Sequence, residues 1–236
     1  MKETKLVQTW NPVAGRKQEY AAFVTHEFRP FMEALGLRMV SGWYTLIGGS
    51  SSVQFETLAD SLDQVKNTLG DQHFRDMLDR FMNLVTQYAT SVLQPAGWMT
   101  MYHWRVSSLQ EIKVLQGWDV LPGQQEAYEH FVRDVYLPQM EEIGLGVTAG
   151  WRLMVGSGPQ VLSESLAPNL ACIAKALADE RYMRLILTME DLVTRHESRV
   201  MIRHRGFLKV LQTIHGRAIR EVASDAMHAM VGPMDD

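Results

Sequence analysis

The segment Gly36-Leu37-Arg38-Met39-Val40-Ser41-Gly42-Trp43 returns further along the chain as Gly144-Leu145-Gly146-Val147-Thr148-Ala149-Gly150-Trp151. The same shift of 108 residues carries Trp10 onto Trp118 and Gly15 onto Gly123 without a gap. Similarity at one long period that occurs only twice indicates domain duplication and not a solenoid. We therefore predict two copies of one α+β unit, at about 5–92 and about 113–200, folded side by side.

The composition is that of an ordinary globular protein. The chain has 236 residues, of which 46% are hydrophobic and 21% charged, enough for two packed units. Its net charge of -4 gives no overall attraction to nucleic acid or to an anionic membrane. Cys172 is the single cysteine, so no intramolecular disulfide is possible. With neither a signal peptide nor a membrane-length apolar run in the sequence, we expect a soluble, cytoplasmic protein.

Both copies predict the same order of elements, β-α-β-β-α-α-β, the ferredoxin-like topology with an extra helix. A first strand (Lys5–Asn11, Lys113–Asp119) leads into a helix (about 16–35, 124–143) with a proline inside it (Pro30, Pro138) and a glycine C-cap (Gly36, Gly144). A hairpin follows (Met39–Ile47 with Val53–Glu56, Val147–Val155 with Val161–Glu164). Next come a short helix (about 59–69, 167–177) and a longer one that starts at Asp71 or Asp179 and reaches about 92 or 203. Trp98–Val106 and Phe207–Ile214 are predicted to close the units.

We place the domain boundaries at 1–108, 109–215 and 216–236. The last part contains an apolar stripe at helical spacing within Arg217–Met230, formed by Ile219, Val222, Ala223, Ala226, Met227 and Met230. A helix that covers a sheet or a subunit contact is favoured over a membrane-binding helix.

Several of these features together resemble the dimeric α/β-barrel superfamily, and within it the NIPSNAP-like group. They are Trp10 or Trp118 before a Pro- and Gly-containing turn, the helix with Phe23 and Pro30, the Gly42-Trp43 to Gly48 hairpin, and the helix start Asp71-Gln72-His73-Phe74. The resemblance covers nearly the whole chain as two copies.

The resemblance implies that the antiparallel sheets of the two units pair into one barrel, an intramolecular equivalent of the superfamily's dimer. The superfamily includes cofactor-free monooxygenases, isomerases, cyclases, heme-degrading enzymes and tandem heme proteins of the chlorite dismutase type. The fold therefore implies little about chemistry. It does imply a position for the site, between the sheet and its covering helices.

The sequence contains none of the strong nucleotide-binding, zinc-protease or serine-hydrolase motifs, so positions that differ between the copies become the candidates. Tyr44 aligns with Arg152, beside the shared Trp43 and Trp151. A buried arginine needs an anionic ligand or a carboxylate partner such as Glu164. A partly solvated strand face is the alternative. We assign Arg152 as a candidate catalytic residue and Tyr44, Trp43 and Trp151 as candidate ligand-binding residues.

A second candidate lies on the predicted strand Trp98–Val106. Alternation puts Met99, Met101, His103 and Arg105 on one face. His103 is assigned as catalytic and Arg105 as ligand-binding, because an imidazole and a guanidinium among apolar groups suit acid–base work, oxyanion binding or heme ligation. A hydrogen-bonded core histidine is the alternative. His26, which aligns with Asp134, is expected at the surface.

Three functions stay open. The first is a small-molecule site for an apolar or anionic ligand, without metal or cofactor, as in a cofactor-free oxygenase or isomerase. The second is a heme protein, with His103, His196 or His204 as the axial ligand. The third is a binding or scaffold module that uses the basic segment Arg195–Arg220 and the last helix as its contact surface. No nucleic acid or membrane partner is expected, and a homodimer of such pseudo-dimers is plausible.

Overall fold

Residues 3–100 and 112–203 are described by the computed structural model. Each half contributes four strands. The strands are β1 (Thr4–Pro12), β2 (Arg38–Ile47), β3 (Val53–Ala59) and β4 (Val85–Pro95), then β5 (Ile112–Val120), β6 (Val147–Val155), β7 (Val161–Ala167) and β8 (Val193–Arg203). We call β1 to β4 with their helices unit one, and β5 to β8 with theirs unit two. Residues 108 apart are called twins.

The strands form one closed antiparallel barrel in the order β1-β3-β2-β8-β5-β7-β6-β4. Within each unit the order is that of a ferredoxin-like sheet, and the units join through β2 with β8 and through β6 with β4. Every strand finds its twin four places further around the barrel, so the barrel axis is a pseudo-twofold axis. The predicted fold and the tandem duplication are thus confirmed. Each described strand is hydrogen-bonded to a neighbouring strand on both of its edges.

The helices cover the outer face of the barrel in two equivalent sets. Unit one has α1 (Lys17–Phe23), α2 (Arg29–Ala34), α3 (Leu62–Gly70) and α4 (Gln72–Met82); unit two has α5 (Gln125–Phe131), α6 (Leu137–Glu142), α7 (Leu170–Leu177) and α8 (Glu180–Glu190). The Asp71 and Asp179 side chains accept hydrogen bonds from the backbone at the starts of α4 and α8, as predicted for N-caps. Among the described residues, none of the helices combines the length and apolar content that a membrane crossing requires.

The two prolines are accommodated by a local change of helix type. A π-helical turn (Val24–Phe28, Val132–Tyr136) joins α1 to α2 and α5 to α6. At its end the Arg29 N–H donates to the Val24 carbonyl, five residues back, and its twin Leu137 does the same to Val132. In each unit the wider turn lets the backbone continue as a helix through the proline, Pro30 or Pro138.

The prediction for the last third of each unit is wrong in one respect. The helices that start at Asp71 and Asp179 end at Met82 and Glu190, and the following residues form β4 and β8. The segment from Val85 to Val92 alternates and is rich in Val, Thr and Tyr, which favour a strand over a helix. Of the predicted closing strands, Gly97–Thr100 is a 3₁₀ turn. Residues 101–106, Phe207–Ile214 and the predicted C-terminal helix lie outside the described residues.

Candidate site between the sheet and the helices of unit two

The layer between each sheet and its helices, here called the helix layer, is built on the same frame in both units. Trp10 on β1 is fully buried and its Nε1 donates to the Tyr20 hydroxyl at 2.8 Å. The twin pair, Trp118 and Tyr128, makes the same bond at 2.8 Å. These shared tryptophans are core residues, as expected for aromatics present in both copies.

A β-bulge directs one side chain of the last strand into each layer. The β1–β4 and β5–β8 registers both shift opposite the buried tryptophan. At the bulge Gln87 and its twin Arg195 have φ values of 53° and 51°, a left-handed conformation that costs a residue with a Cβ. The residues that follow, Tyr88 and His196, both lie against the tryptophan ring, with centroids 6.4 and 6.2 Å away.

In unit one the helix layer is filled by aromatic rings. Phe28 stacks on Phe81 with 4.8 Å between centroids and meets Phe55 edge-on at 5.4 Å. Gln8 donates from Nε2 to the Tyr88 hydroxyl at 2.6 Å. Its Oε1 is buried and receives no hydrogen bond within the described part of the chain. This side of the molecule is a packed apolar core.

In unit two the twin positions are polar. Tyr136, Ser163 and Tyr182 stand where unit one has Phe28, Phe55 and Phe74. A different hydrogen-bond network follows, in which Tyr136 donates to Gln116 Oε1 at 2.7 Å and Gln116 Nε2 donates to the Tyr182 hydroxyl at 2.9 Å. Buried polar networks of this kind specify one arrangement of side chains. The polar layer is therefore the main difference between the units.

His196 is the reactive group of this layer. The residue is half-buried, and its Nε2 is a buried atom with no hydrogen-bond partner among residues 3–100 and 112–203. Burial lowers the pKa of His196 below its usual 6.5, against a smaller opposite effect of Glu190. A neutral imidazole at pH 7 can accept a proton or a hydrogen bond, or ligate a metal.

The tyrosines around His196 act as hydrogen-bond donors and not as bases. Burial raises the pKa of Tyr128 and Tyr136 well above 10, and that of Tyr182 also rises. The Tyr182 hydroxyl accepts from Gln116 and thus keeps its own proton to donate. A half-buried position makes Tyr182 and His196 the accessible members of the layer.

Arg152 lies at the rim of the same layer and not in the interior. It is exposed on β6, and its charge reaches the Tyr128 hydroxyl, whose pKa it lowers in part. Among the described residues no carboxylate forms an ion pair with it, and Glu164 pairs with lysines instead. Its twin Tyr44 lies against the apolar core of unit one, where burial raises its pKa to about 12. Arg152 and Tyr44 thus belong to two different layers.

Trp43 and Trp151 point the opposite way, into the barrel. There they lie against a closed ring of four buried side chains of alternating charge, Lys5, Glu56, Lys113 and Glu164, which we call the charge ring. Lys5 Nζ lies 2.8 Å from Glu164 and 3.4 Å from Glu56, while Lys113 Nζ lies 2.6 Å from Glu56 and 3.2 Å from Glu164. The ring joins the two units on the barrel axis, and the structure separates both tryptophans from Tyr44 and Arg152.

The pKa shifts of Lys5 and Glu56 favour the charged forms of these two side chains. Burial lowers the pKa of Lys5, but Glu164 and Glu56 raise it by more, so it stands above 10.5. Burial likewise raises the pKa of Glu56, but Lys113 and Lys5 lower it by more, well below 4.5. Each Lys Nζ also lies over an indole ring, at 4.1 Å from the Trp151 centroid for Lys5 and 4.5 Å from Trp43 for Lys113.

The other sequence candidates do not join the unit-two layer. His103, Arg105 and His204 lie outside the described residues. His26 is exposed, as expected, beside a groove of about 660 Å³ on unit one. The charges of that groove pair with one another, Arg16 with Glu19 and Arg80 with Glu27. No group of three or more His, Cys, Asp or Glu side chains in the described ranges is placed to hold a metal ion.

Sequence reasoning identified His196 only as one possible heme ligand and missed Tyr136, Tyr182 and Gln116. The signal was present in the comparison of the two copies, where Phe28 and Phe74 meet Tyr136 and Tyr182. Such Phe/Tyr exchanges look conservative in an alignment. In a buried layer each one adds a hydroxyl that must find a partner.

No protein-family model and no curated protein matches the chain. Solved structures do match it over most of its length. An anthrone oxidase-like protein is 13% identical with a TM-score of 0.59, covering 86% of this chain and 92% of that one. A putative monooxygenase from Lactobacillus acidophilus NCFM is 11% identical with a TM-score of 0.57, covering 86% and 94%. Chlorite dismutase from Candidatus Nitrospira defluvii is 8% identical with a TM-score of 0.58, covering 89% and 94%. The chain thus has the dimeric α/β-barrel fold.

Proposed function

We propose that the helix layer of unit two binds a small molecule with an acidic C–H or O–H beside a carbonyl or phenol, and that His196 takes the proton. The observation that carries the proposal is the buried Nε2 of His196, which has no hydrogen-bond partner in the described ranges and belongs to a ring that lies against Trp118, in the layer that also holds the Tyr136–Gln116–Tyr182 network. A base and a donor on one face suit removal of a proton with the charge stabilised on oxygen.

Each residue has a distinct role in this proposal. His196 Nε2 accepts the proton, and its lowered pKa keeps it unprotonated at pH 7. The Tyr182 hydroxyl donates to the enolate or phenolate oxygen. Arg152, exposed at the rim and without a carboxylate partner in the described ranges, attracts an anionic ligand or steadies the developing negative charge. Gln116 and Trp118 are positioning residues, because they hold Tyr182, Tyr136 and Tyr128.

Anthrone is a suitable probe, since it is an enolisable polycyclic ketone and one fold neighbour is described as anthrone oxidase-like. His196 would take a proton from the C10 methylene, leaving the electron pair on the enolate oxygen. Dioxygen, the oxidant, would then add at C10, and the resulting hydroperoxide would lose water. The sum is anthrone plus O2 giving anthraquinone plus water, without a metal or organic cofactor.

The test is the rate of O2 uptake and anthraquinone formation in three proteins. The wild type is expected to turn over, and His196→Gln to lose about 100-fold or more, the usual contribution of a general base. The matched variant in unit one, Tyr88→Phe, is expected to stay within about twofold of the wild type. Equal rates in all three proteins, or no turnover by the wild type, would contradict the oxygenase proposal.

A heme function is the second candidate, because an imidazole nitrogen without a hydrogen-bond partner in the described ranges is also what an axial ligand offers. The donor fits, but its surroundings do not. Trp118, Tyr136 and Met140 are fully buried in the layer, and a porphyrin between sheet and helices would have to displace them. We derive no chemistry through heme. A Soret band that saturates on hemin addition and is lost in His196→Gln would favour this function over the first.

A further inference from the structure

Inside the barrel, the two glutamates of the charge ring receive different numbers of hydrogen bonds. Glu56 receives hydrogen bonds from Lys113 at 2.6 Å, Gln54 at 2.6 Å and Ser41 at 2.9 Å, besides the longer contact with Lys5. Its twin Glu164 receives only the two lysines, both on Oε1. Within the described residues, Oε2 of Glu164 has no donor.

The tryptophans next to the ring show the same difference. Trp43 Nε1 donates to the Ser41 hydroxyl at 2.7 Å, and that hydroxyl donates to Glu56. In unit two Ser41 is replaced by Ala149. Trp151 is only 8% exposed, and its Nε1 is a buried donor without a partner in the described ranges. In unit one the Ser41 hydroxyl therefore accepts a hydrogen bond from Trp43 and donates one to Glu56. Its twin Ala149 has only a methyl group.

In unit one a single hydroxyl contacts the atoms equivalent to Trp151 Nε1 and Glu164 Oε2. Lys5 bridges Trp151 and Glu164, lying 4.1 Å from the indole centroid and donating to Glu164 at 2.8 Å. Lys113 bridges Trp43 and Glu56 in the same way. Ala149 packs in the cluster that contains Trp151, and at the twin position the Ser41 hydroxyl bonds both Trp43 Nε1 and Glu56 Oε2. A hydroxyl in the same position of unit two would therefore reach both Trp151 Nε1 and Glu164 Oε2.

We propose that unit two of the barrel interior is a binding site for one small hydroxylic molecule, which accepts from Trp151 Nε1 and donates to Glu164 Oε2. A missing hydroxyl corresponds to about the size of a water or a one-carbon alcohol, and leaving the buried Trp151 donor unpaired is costly. Water and methanol share this chemistry. The site lies on the opposite side of the sheet from His196, so it is independent of the proposed function.

The experiment follows the indole N–H signals of the full chain labelled with ¹⁵N-tryptophan, with Trp151 assigned from Trp151→Phe. Addition of methanol is expected to shift the Trp151 signal saturably and to leave Trp43 unchanged. If methanol causes no shift, exchange of magnetisation between the Trp151 N–H and water identifies water as the occupant. If Trp151 shows neither the methanol shift nor the exchange with water, the proposal is overturned.

Two reciprocal variants keep the test decisive. Ala149→Ser should supply the missing hydroxyl, abolish the response of Trp151, and raise Tm by roughly 2–4 °C. Ser41→Ala should create the same site in unit one, so that Trp43 gains the response, and should lower Tm. Retention of the response in Ala149→Ser, or no response of Trp43 in Ser41→Ala, would contradict the assignment.

Discussion

Unit one and unit two have the same frame, yet their helix layers differ in chemistry. Both hold a buried tryptophan bonded to a tyrosine at 2.8 Å, and both have a bulge in the left-handed region. Unit one then fills its layer with rings such as Phe28 and Phe81. Unit two has the Tyr136–Gln116–Tyr182 network, and His196 Nε2 has no hydrogen-bond partner among the described residues. The comparison teaches that one copy keeps the fold's packing while the other carries the groups that suit a ligand.

The largest expected effect comes from breaking what the units share, the charge ring. Glu56→Gln leaves two buried lysines with one carboxylate, and it is expected to lower the free energy of unfolding by about 3–5 kcal/mol. Glu164→Gln should cost less, by roughly 1 kcal/mol for each hydrogen bond that Glu56 alone receives. Urea unfolding measures both.

The control for the charge ring is Glu27→Gln, which removes the exposed ion pair with Arg80. Surface pairs contribute only about 0–1 kcal/mol. If Glu56→Gln proved as mild as this control, the ring would not be the element that stabilises the junction between the units.

An intermediate effect is expected from exchanging one hydroxyl between the layers. Tyr136→Phe removes the donor to Gln116 Oε1 and should destabilise the protein by about 1–3 kcal/mol. The reciprocal Phe28→Tyr adds a hydroxyl beside Gln8, whose Oε1 is buried without a donor. We expect it to be neutral or slightly stabilising by thermal unfolding. Equal losses of stability in the two variants would mean that the layer of unit one cannot accept at Phe28 the hydroxyl that unit two has at Tyr136, so the two frames would not be equivalent.

The smallest effect is a pH dependence confined to unit two. Because the pKa of His196 is lower in the folded state than in the unfolded chain, its contribution to stability is complete above about pH 6.5 and is lost as the pH falls from there toward the folded pKa. The slope in that window is at most about 1.4 kcal/mol per pH unit. The difference in unfolding free energy between wild type and His196→Gln, followed from pH 8 to 5, should show this loss. A flat difference curve would contradict it.

Much of the fold could be predicted because duplication gives two readings of each element. The caps at Asp71 and Gly36 and the hairpins follow from local chemistry. The segment from Val85 was misassigned because no glycine or proline between Met82 and Val85 marks the end of the helix, although the alternation that follows favours a strand. The charge ring could not be predicted, since Lys5 and Glu56 come from different strands and look like solvent-facing residues until the barrel closes over them.

The site was predictable only in part. The comparison of twins also points to the residues of the proposed site, and the superfamily resemblance implies a site between sheet and helices, which is the layer where the proposed site lies. The sequence comparison of twin positions favoured exchanges that change charge, such as Tyr44 with Arg152, over the exchange of Phe28 with Tyr136. Whether a hydroxyl matters depends on its burial and its partner, and neither is a property of one strand or helix alone.

The most direct test of the central claim is a titration with anthrone, without oxygen, of protein labelled at histidine and tyrosine, read by the imidazole nitrogens of His196 and the ring signals of Tyr88. The account predicts a saturable shift of the Nε2 signal, while signals of Tyr88 and its neighbours in unit one stay unchanged. No shift at His196, or shifts in the helix layer of unit one instead, would contradict the claim that unit two carries the site.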